Sequence, residues 1–236
     1  MARSASMQVV AFSGGKDSTA LVLKLAELGE EFSCLFTPTG NELPEVLAHI
    51  DVIVRRIDRP LVLPPNHSLE FWMEFHHALP NFRMRWCTRQ IKIEPCVAWL
   101  IKHPGSTLLV GLRADEESRV GLYGDYATYR YPLREWGWTI VEVRAYLRAS
   151  GVSVPVRTDC ALCYGQRLIE WWELWKHHPD RYERGVALEA QHGHTFRSAQ
   201  RDAWPADLLS LRAEFESGRV PKDTRQSNAA CRVCSL

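Results

Sequence analysis

The chain has 236 residues, a formal net charge of +1 and a 46% hydrophobic share. That length supports one large domain or a domain with an appendage, and the apolar share excludes global disorder. The near-neutral charge argues against coating nucleic acid by bulk electrostatics, and no stretch has the length and apolarity of a membrane span.

Residues 1–6 read as a frayed tail. Gln8 to Phe12 is a β-branched and aromatic run, the pattern of a buried strand. It breaks at Ser13-Gly14-Gly15, and Leu21, Leu25 and Leu28 then predict a helix stopped by Gly29. A second strand is expected over Glu31 to Thr37, and a third over Asp51 to Ile57. Pro60 to Pro65 reads as a turn-rich connection. Ser68 caps a predicted helix through His77, with Leu69, Trp72, Met73 and His76 on one face as core packing. Ser106 to Leu112 reads as a buried strand, and Tyr123 to Tyr129 as a substrate-facing loop. Thr139, Glu142 and Gly151 form a capping box and stop around one more helix. Helices are then expected over Leu168 to His178, Arg181 to Gly193 and Asp207 to Glu216, before a flexible segment from Gly218 to Ala230.

Strand, glycine turn and helix together make an anion site. Gly14 and Gly15 let the backbone approach a ligand, and the unpaired N–H groups of the helix start point at it. Ser13 and Ser18 add hydroxyls, Lys16 adds a positive charge, and Asp17 offers a carboxylate for a magnesium ion or an orienting hydrogen bond. The loop is not a Walker A motif, since Asp17 rather than Ser or Thr follows the lysine. Downstream, Arg83, Arg85, Arg89 and Lys92 precede the first acid, Glu94, in a cationic stretch suited to phosphate or sulfate oxygens.

The string Ser13-Gly14-Gly15-Lys16-Asp17-Ser18 resembles the pyrophosphate loop of the adenine-nucleotide alpha-hydrolase superfamily. Four later stretches are similar to the phosphoadenosine phosphosulfate (PAPS) reductase-like branch. Thr39-Gly40-Asn41-Glu42-Leu43-Pro44-Glu45 resembles its Asp-Thr-Gly-x-x-x-Pro-Glu turn, with Pro38 in place of the Asp. Cys87 to Pro95 resembles Cys-Cys-x-x-x-Lys-x-x-Pro, with Thr88 in place of the second cysteine. Gly111 to Arg119 resembles Gly-x-Arg-x-x-x-Ser-x-Arg, and Pro132-Leu133-Arg134-Glu135-Trp136 resembles Pro-Leu-x-x-Trp. The resemblance covers roughly Gln8 to Cys163. It implies an α/β fold with a doubly wound, mainly parallel sheet, occupying residues 1–156, before a helical, cysteine-containing region over 157–236. It also implies that Thr39, Gly40, Arg89, Gly111 and Arg113 join the loop in binding the nucleotide, with Lys92 beside them.

Seven cysteines occur without a signal-peptide pattern, so a cytoplasmic, reduced chain is expected. Cys160-x-x-Cys163 and Cys231-x-x-Cys234 have metal-chelating spacing. Three assignments stand. By the resemblance, Cys87, Cys160 and Cys163 hold a four-iron cluster (4Fe-4S) with Cys231 or Cys234 as fourth ligand. Alternatively the two pairs bind structural zinc, or the C-terminal pair is redox-active. Cys34 and Cys96 read as small core residues.

The leading expectation is an enzyme that reduces a sulfonucleotide, PAPS or adenosine phosphosulfate (APS). Cys231 or Cys234 attacks the sulfonate while Arg113, Arg89 and Lys92 neutralise the anion, and a thiol reductant completes the cycle. The C-terminal cysteines keep the reductases' position but not their Glu-Cys-Gly-Leu-His motif. The rival is an ATP-dependent sulfurtransferase, fed by a sulfur donor, that adenylates a nucleic-acid target and releases pyrophosphate. A third reading, from another class, is a zinc-stapled module that binds a nucleotide or nucleic acid.

Overall fold

The computed structural model describes residues 7–116, 119, 125–198 and 202–223. Its centre is a five-stranded sheet built from β1 (Gln8–Ala11), β2 (Ser33–Leu35), β3 (Leu61–Val62), β4 (Thr107–Leu109) and β5 (Thr128–Arg130). The spatial order is β3-β2-β1-β4-β5, and every pairing is parallel. Side chains alternate across the strands. Val10, Cys34 and Leu109 enter one large core, while Val9, Leu35 and Leu108 enter another with Cys96 and Leu100 of helix α4 (Glu94–Lys102). Both faces of the sheet are therefore covered, as a parallel sheet requires.

After β1 the chain moves outward through β2 to β3, then returns to β4 on β1's other side. That reversal makes the gap beyond the ends of β1 and β4 the switch point, the place where such sheets bind ligands. Helix α1 (Lys16–Glu27) starts there.

The third strand lies elsewhere than the sequence pattern indicates. Asp51 to Ile57 is the second half of helix α2 (Pro44–Ile57), and the strand is the short Leu61–Val62 inside the expected connection. Pro44 sits in the first turn, where its missing N–H costs nothing. Val46, Ile50, Ile53 and Ile57 then recur at helical spacing and are all buried. The β-branched run from Ile50 to Ile57 favours a strand locally, but the tertiary face decides. Asp58 ends the helix in a left-handed conformation, at φ 49°.

Helix α3 (Leu69–His76) begins at Ser68, whose side chain accepts the Phe71 N–H. Leu69 and Met73 are buried, whereas Trp72 and His76 are only half covered. A π-helical turn, Thr88–Ile93, leads into α4. The short α5 (Pro132–Glu135) precedes α6 (Ile140–Ala149), which carries the expected Thr139–Glu142 capping box. Three further helices follow: α7 (Leu168–His177), α8 (Pro179–His192) and α9 (Leu208–Glu216). Their residues Trp171, Tyr182, Leu188, Leu208 and Phe215 belong to the same core as Val10. Among the described residues, no helix is long and apolar enough to cross a membrane. Cys231 and Cys234, and the part of the expected flexible segment beyond residue 223, lie outside the described residues.

Candidate nucleotide and thiol site

The loop after β1 is held open by its own hydroxyls. Ser18 Oγ accepts the Ser13 N–H at 3.3 Å and donates to the Gly15 carbonyl at 3.1 Å, while Ser13 Oγ accepts the Gly15 N–H at 3.4 Å. Gly14 has φ 71°, a left-handed conformation that favours glycine. A β-carbon on Gly111, just past β4, would lie 3.3 Å from the Ser18 backbone nitrogen. Glycine there allows the β4 loop to close onto the start of α1.

That closure brings a charge cluster to the phosphate loop. Asp17 accepts from Lys16 Nζ at 3.0 Å and from Arg113 Nη1 at 2.9 Å through one carboxylate oxygen. Arg113 is buried, and its guanidinium also donates to Asp115 at 2.8 Å and lies 3.5 Å from Glu116. Burial opposes ionisation of Asp115, but the Arg113 guanidinium outweighs it and holds the carboxyl below its ordinary range. Arg119 pairs with Glu116. Arg134 of α5 donates to the carbonyls of Arg113, Glu116 and Arg119, which fixes the loop's course. Arg113 is thus already met by three carboxylates rather than presented bare to an anion. The other Asp17 oxygen, Oδ1, is buried with no hydrogen-bond partner among the described residues.

The turn after β2 is organised by its own side chains and by the loop that carries the first cysteine pair. Thr39 and Asn41 are buried, and Glu42 Oε1 accepts both the Thr39 N–H at 2.6 Å and its hydroxyl at 2.7 Å. Asn41 then clamps the first cysteine pair: its carbonyl accepts from Ala161 N at 2.7 Å and its side chain from Leu162 N at 2.8 Å. Gly40 is exposed at the tip, at φ 70°. Asn41→Ala should strand the buried Leu162 N–H, at a cost of about 1–3 kcal/mol. Thermal unfolding should show the loss, with faster labelling of Cys160 and Cys163 by a thiol reagent; unchanged values for both would show that the clamp is idle.

Cys160 and Cys163 gather with Cys87 and Tyr164 in one patch. The Cys160 thiol donates to Thr39 Oγ1 at 3.4 Å, and burial pushes the Tyr164 phenol up to about 12. Just before the pair, Arg157 binds Asp159 at 2.8 Å and the carbonyls of Cys160 and Ala161. A β-carbon on Gly15 would meet Thr158 Oγ1 at 3.3 Å, so this loop lies against the phosphate loop. No disulfide joins the five described cysteines. Among the described residues, no group of three His, Cys, Asp or Glu side chains is arranged to hold a metal ion. The described thiols form a patch, and Cys231 and Cys234, which complete each expected ligand set, lie outside the described residues. Cys34 and Cys96 lie apart in the core, where burial pushes both thiols up to about 12.

The remaining cations sit at the margin. Lys92 is half-buried in the π-helical turn, and Arg89 is exposed and paired with Glu94 at 2.8 Å. Asn66 ties this turn to the β2 loop by donating to the carbonyls of Pro38 and Ile91, at 2.9 and 2.8 Å. Sequence reasoning left Asn41, Asp115, Glu116, Arg157 and Thr158 without roles. Only the position of Asp115 and Glu116 two and three residues after Arg113 hinted at theirs.

Residues 7–155 match the phosphoadenosine phosphosulfate reductase domain family, which is most of the chain. The chain belongs to that family. An uncharacterized protein of Methanocaldococcus jannaschii is 22% identical over 207 residues, covering 82% of this chain and 50% of the relative. The chain therefore spans about half the length of that curated relative. Among solved structures, phosphoadenylyl-sulfate (PAPS) reductase from Candida auris, crystallised as a phosphate complex, is similar with 14% identity and a TM-score of 0.49. That likeness covers 64% of this chain and 76% of the reductase. Family membership makes this a nucleotide-binding protein type tied to sulfur chemistry, built on the parallel sheet described above.

Proposed function

We propose that the chain is an ATP-dependent sulfurtransferase: it binds magnesium–ATP at the Ser13–Ser18 loop, adenylates an acceptor oxygen and lets sulfur displace the AMP. One observation carries the choice over reduction of a sulfonucleotide. Beside the phosphate loop, the buried Asp17 Oδ1 has no partner among the described residues, and Asp115 and Glu116 already occupy Arg113. A bare sulfonucleotide would meet three carboxylates there. A cation–triphosphate complex would instead give Asp17 Oδ1 its missing partner. Magnesium takes one or two carboxylates and fills its shell with phosphate oxygens and water, so a single well-placed aspartate fits it.

In this reading the Gly14 and Gly15 N–H groups and the start of α1 hold the phosphates in line with the acceptor. Lys16 offsets the charge on pyrophosphate as its bond to the α-phosphorus breaks. Bound magnesium supplies further charge neutralisation on the phosphate oxygens. The patch of Cys87, Cys160 and Cys163, reached from the loop whose Thr158 lies against Gly15, is the place for sulfur to be delivered.

Calorimetry and product analysis test this together. ATP affinity should rise at least about tenfold on adding magnesium, and Asp17→Asn should erase that gain, as expected for a lost charge-assisted contact. Phosphoadenosine phosphosulfate should bind without magnesium dependence. Sulfite release from it with a thiol reductant, alongside magnesium-independent ATP binding, would establish the reductase reading instead.

A further inference from the structure

The face of α3 turned away from the core is aromatic and uncovered. Phe71 is 43% exposed and Phe75 64%. Their rings are near parallel, at 16° with centroids 6.4 Å apart, and His67 stacks on Phe71 at 4.0 Å. Burial does not explain this arrangement, because Leu69 and Met73 already supply the helix's core contacts. Beneath the exposed rings, Trp72 lies against His76, and His76 lies against Trp86 at 4.9 Å. The indole nitrogens of Trp72 and Trp86 are buried donors with no hydrogen-bond partner among the described residues.

The charges around this face are sorted. The acids of α3 turn towards α8: Glu70 pairs with Arg184 at 2.7 Å and Glu74 accepts from Gln191 at 2.6 Å. The cationic segment joins the aromatic side instead, where His76 bonds Gln90 at 2.7 Å. Arg83, Arg85 and Arg89 are exposed along it, with Glu94 against Arg89. The same segment leads to the thiols. Phe82, 58% exposed, meets Tyr164 edge-on at 5.1 Å, and Tyr164 packs on Cys163. The exposed rings of α3 connect through His76 to Trp86 and Gln90 of the arginine segment, and Phe82 of that segment reaches the cysteine patch through Tyr164, so rings and cations share one track.

We infer that this track binds single-stranded nucleic acid, its bases stacking on Phe71 and Phe75 and its phosphates following Arg83, Arg85 and Arg89. Aromatic faces accept any base, and a row of cations tracks a backbone; the two together are what single-strand binding needs. A protein partner would fit exposed rings, but it gives no reason for a run of arginines with the α3 acids withdrawn. The near-zero net charge is no obstacle, because the positive charge is concentrated locally. As the acceptor for adenylation the strand rests on the sulfurtransferase reading; as a binding surface it does not.

Fluorescence anisotropy of labelled single-stranded RNA and DNA oligonucleotides, titrated with the full chain without ATP, tests the inference. At least one of the two should bind, more tightly than a duplex of the same sequence and more weakly as salt rises. The double variant Phe71→Ala/Phe75→Ala should weaken binding at least about tenfold, with unfolding temperature and ATP affinity unchanged. Arg83→Ala should weaken all sequences alike and reduce the salt slope by about 1. No binding of either strand, preference for duplex, or full affinity in the double variant overturns the proposal. So does a wild-type dimer that the double variant dissolves without any oligonucleotide affinity, which would make the face a protein interface. Omitting ATP keeps the outcomes separate: oligonucleotide binding without magnesium-dependent ATP binding rejects only the sulfurtransferase reading.

Discussion

Arg113→Met should destabilise the fold by about 3 kcal/mol, the low end for breaking a buried ion pair by removing one partner. The Arg113 side chain is 3% exposed and faces Asp17, Asp115 and Glu116. Without it these carboxylates crowd one another, and Glu116, also buried, is left with Arg119 and the backbone N–H of position 113. Water reaching Asp17 and Asp115 keeps the cost from rising further. For a chain of this size, the loss corresponds to a fall in unfolding temperature of roughly 6–12 °C. Arg113→Lys should recover part of it, since the charge returns without the planar fork. The double variant Arg113→Met/Asp17→Asn should be more stable than Arg113→Met alone, because it removes one of the stranded charges. Were Arg113 a bare anion clamp, as the sequence motif implies, the unfolding temperature would hold and only phosphate affinity would fall.

The ion pairs of Arg113 show which parts of the site's geometry the sequence carried. The phosphate loop was legible because its chemistry is local: a strand, two glycines and a helix start are neighbours in the chain. So was the helix after Thr139, whose cap and stop lie within one segment. Charge partners across the switch point were not, since Asp17 and Arg113 meet only after β4 returns beside β1. The structural contacts of the β2 turn were hidden for a similar reason. Its Thr39 and Asn41 have binding-type side chains, but their partners, Cys160 and Leu162, lie far along the chain. The Asp51–Ile57 strand failed on composition, as β-branched residues were weighed without the helical spacing from Val46 onward. On α3, periodicity found Leu69 and Met73 but could not separate a buried aromatic from a displayed one. Phe71 and Phe75 became visible only as exposed rings.

Gly14→Val and Lys16→Ala should both abolish tight nucleotide binding, yet only the first should also damage the fold. Gly14 is left-handed at φ 71°, a conformation that costs a side-chain-bearing residue about 1–2 kcal/mol. Its β-carbon would also lie 2.8 Å from Ile50 Cγ1 on α2, and forcing such overpacking costs roughly 1–3 kcal/mol more. The combined loss of about 2–5 kcal/mol should appear as a clear drop in unfolding temperature. Gly14 is thus required by the packing of the loop on α2. Adding Ile50→Ala to Gly14→Ala should not rescue the backbone strain, so the pair stays less stable than Ile50→Ala by itself. Lys16 is different. Its ammonium contacts Asp17 at 3.0 Å in a partly exposed pair, the kind worth no more than about 1 kcal/mol to stability. A charged contact to a phosphate is worth about 1.5–3 kcal/mol, so Lys16→Ala should lose roughly ten- to a hundredfold in ATP affinity with the fold intact. Calorimetric titration beside thermal unfolding reads both quantities. Unchanged affinity in Lys16→Ala would remove the lysine from the phosphate site, and an unchanged unfolding temperature in Gly14→Val would refute the close packing of the loop on α2.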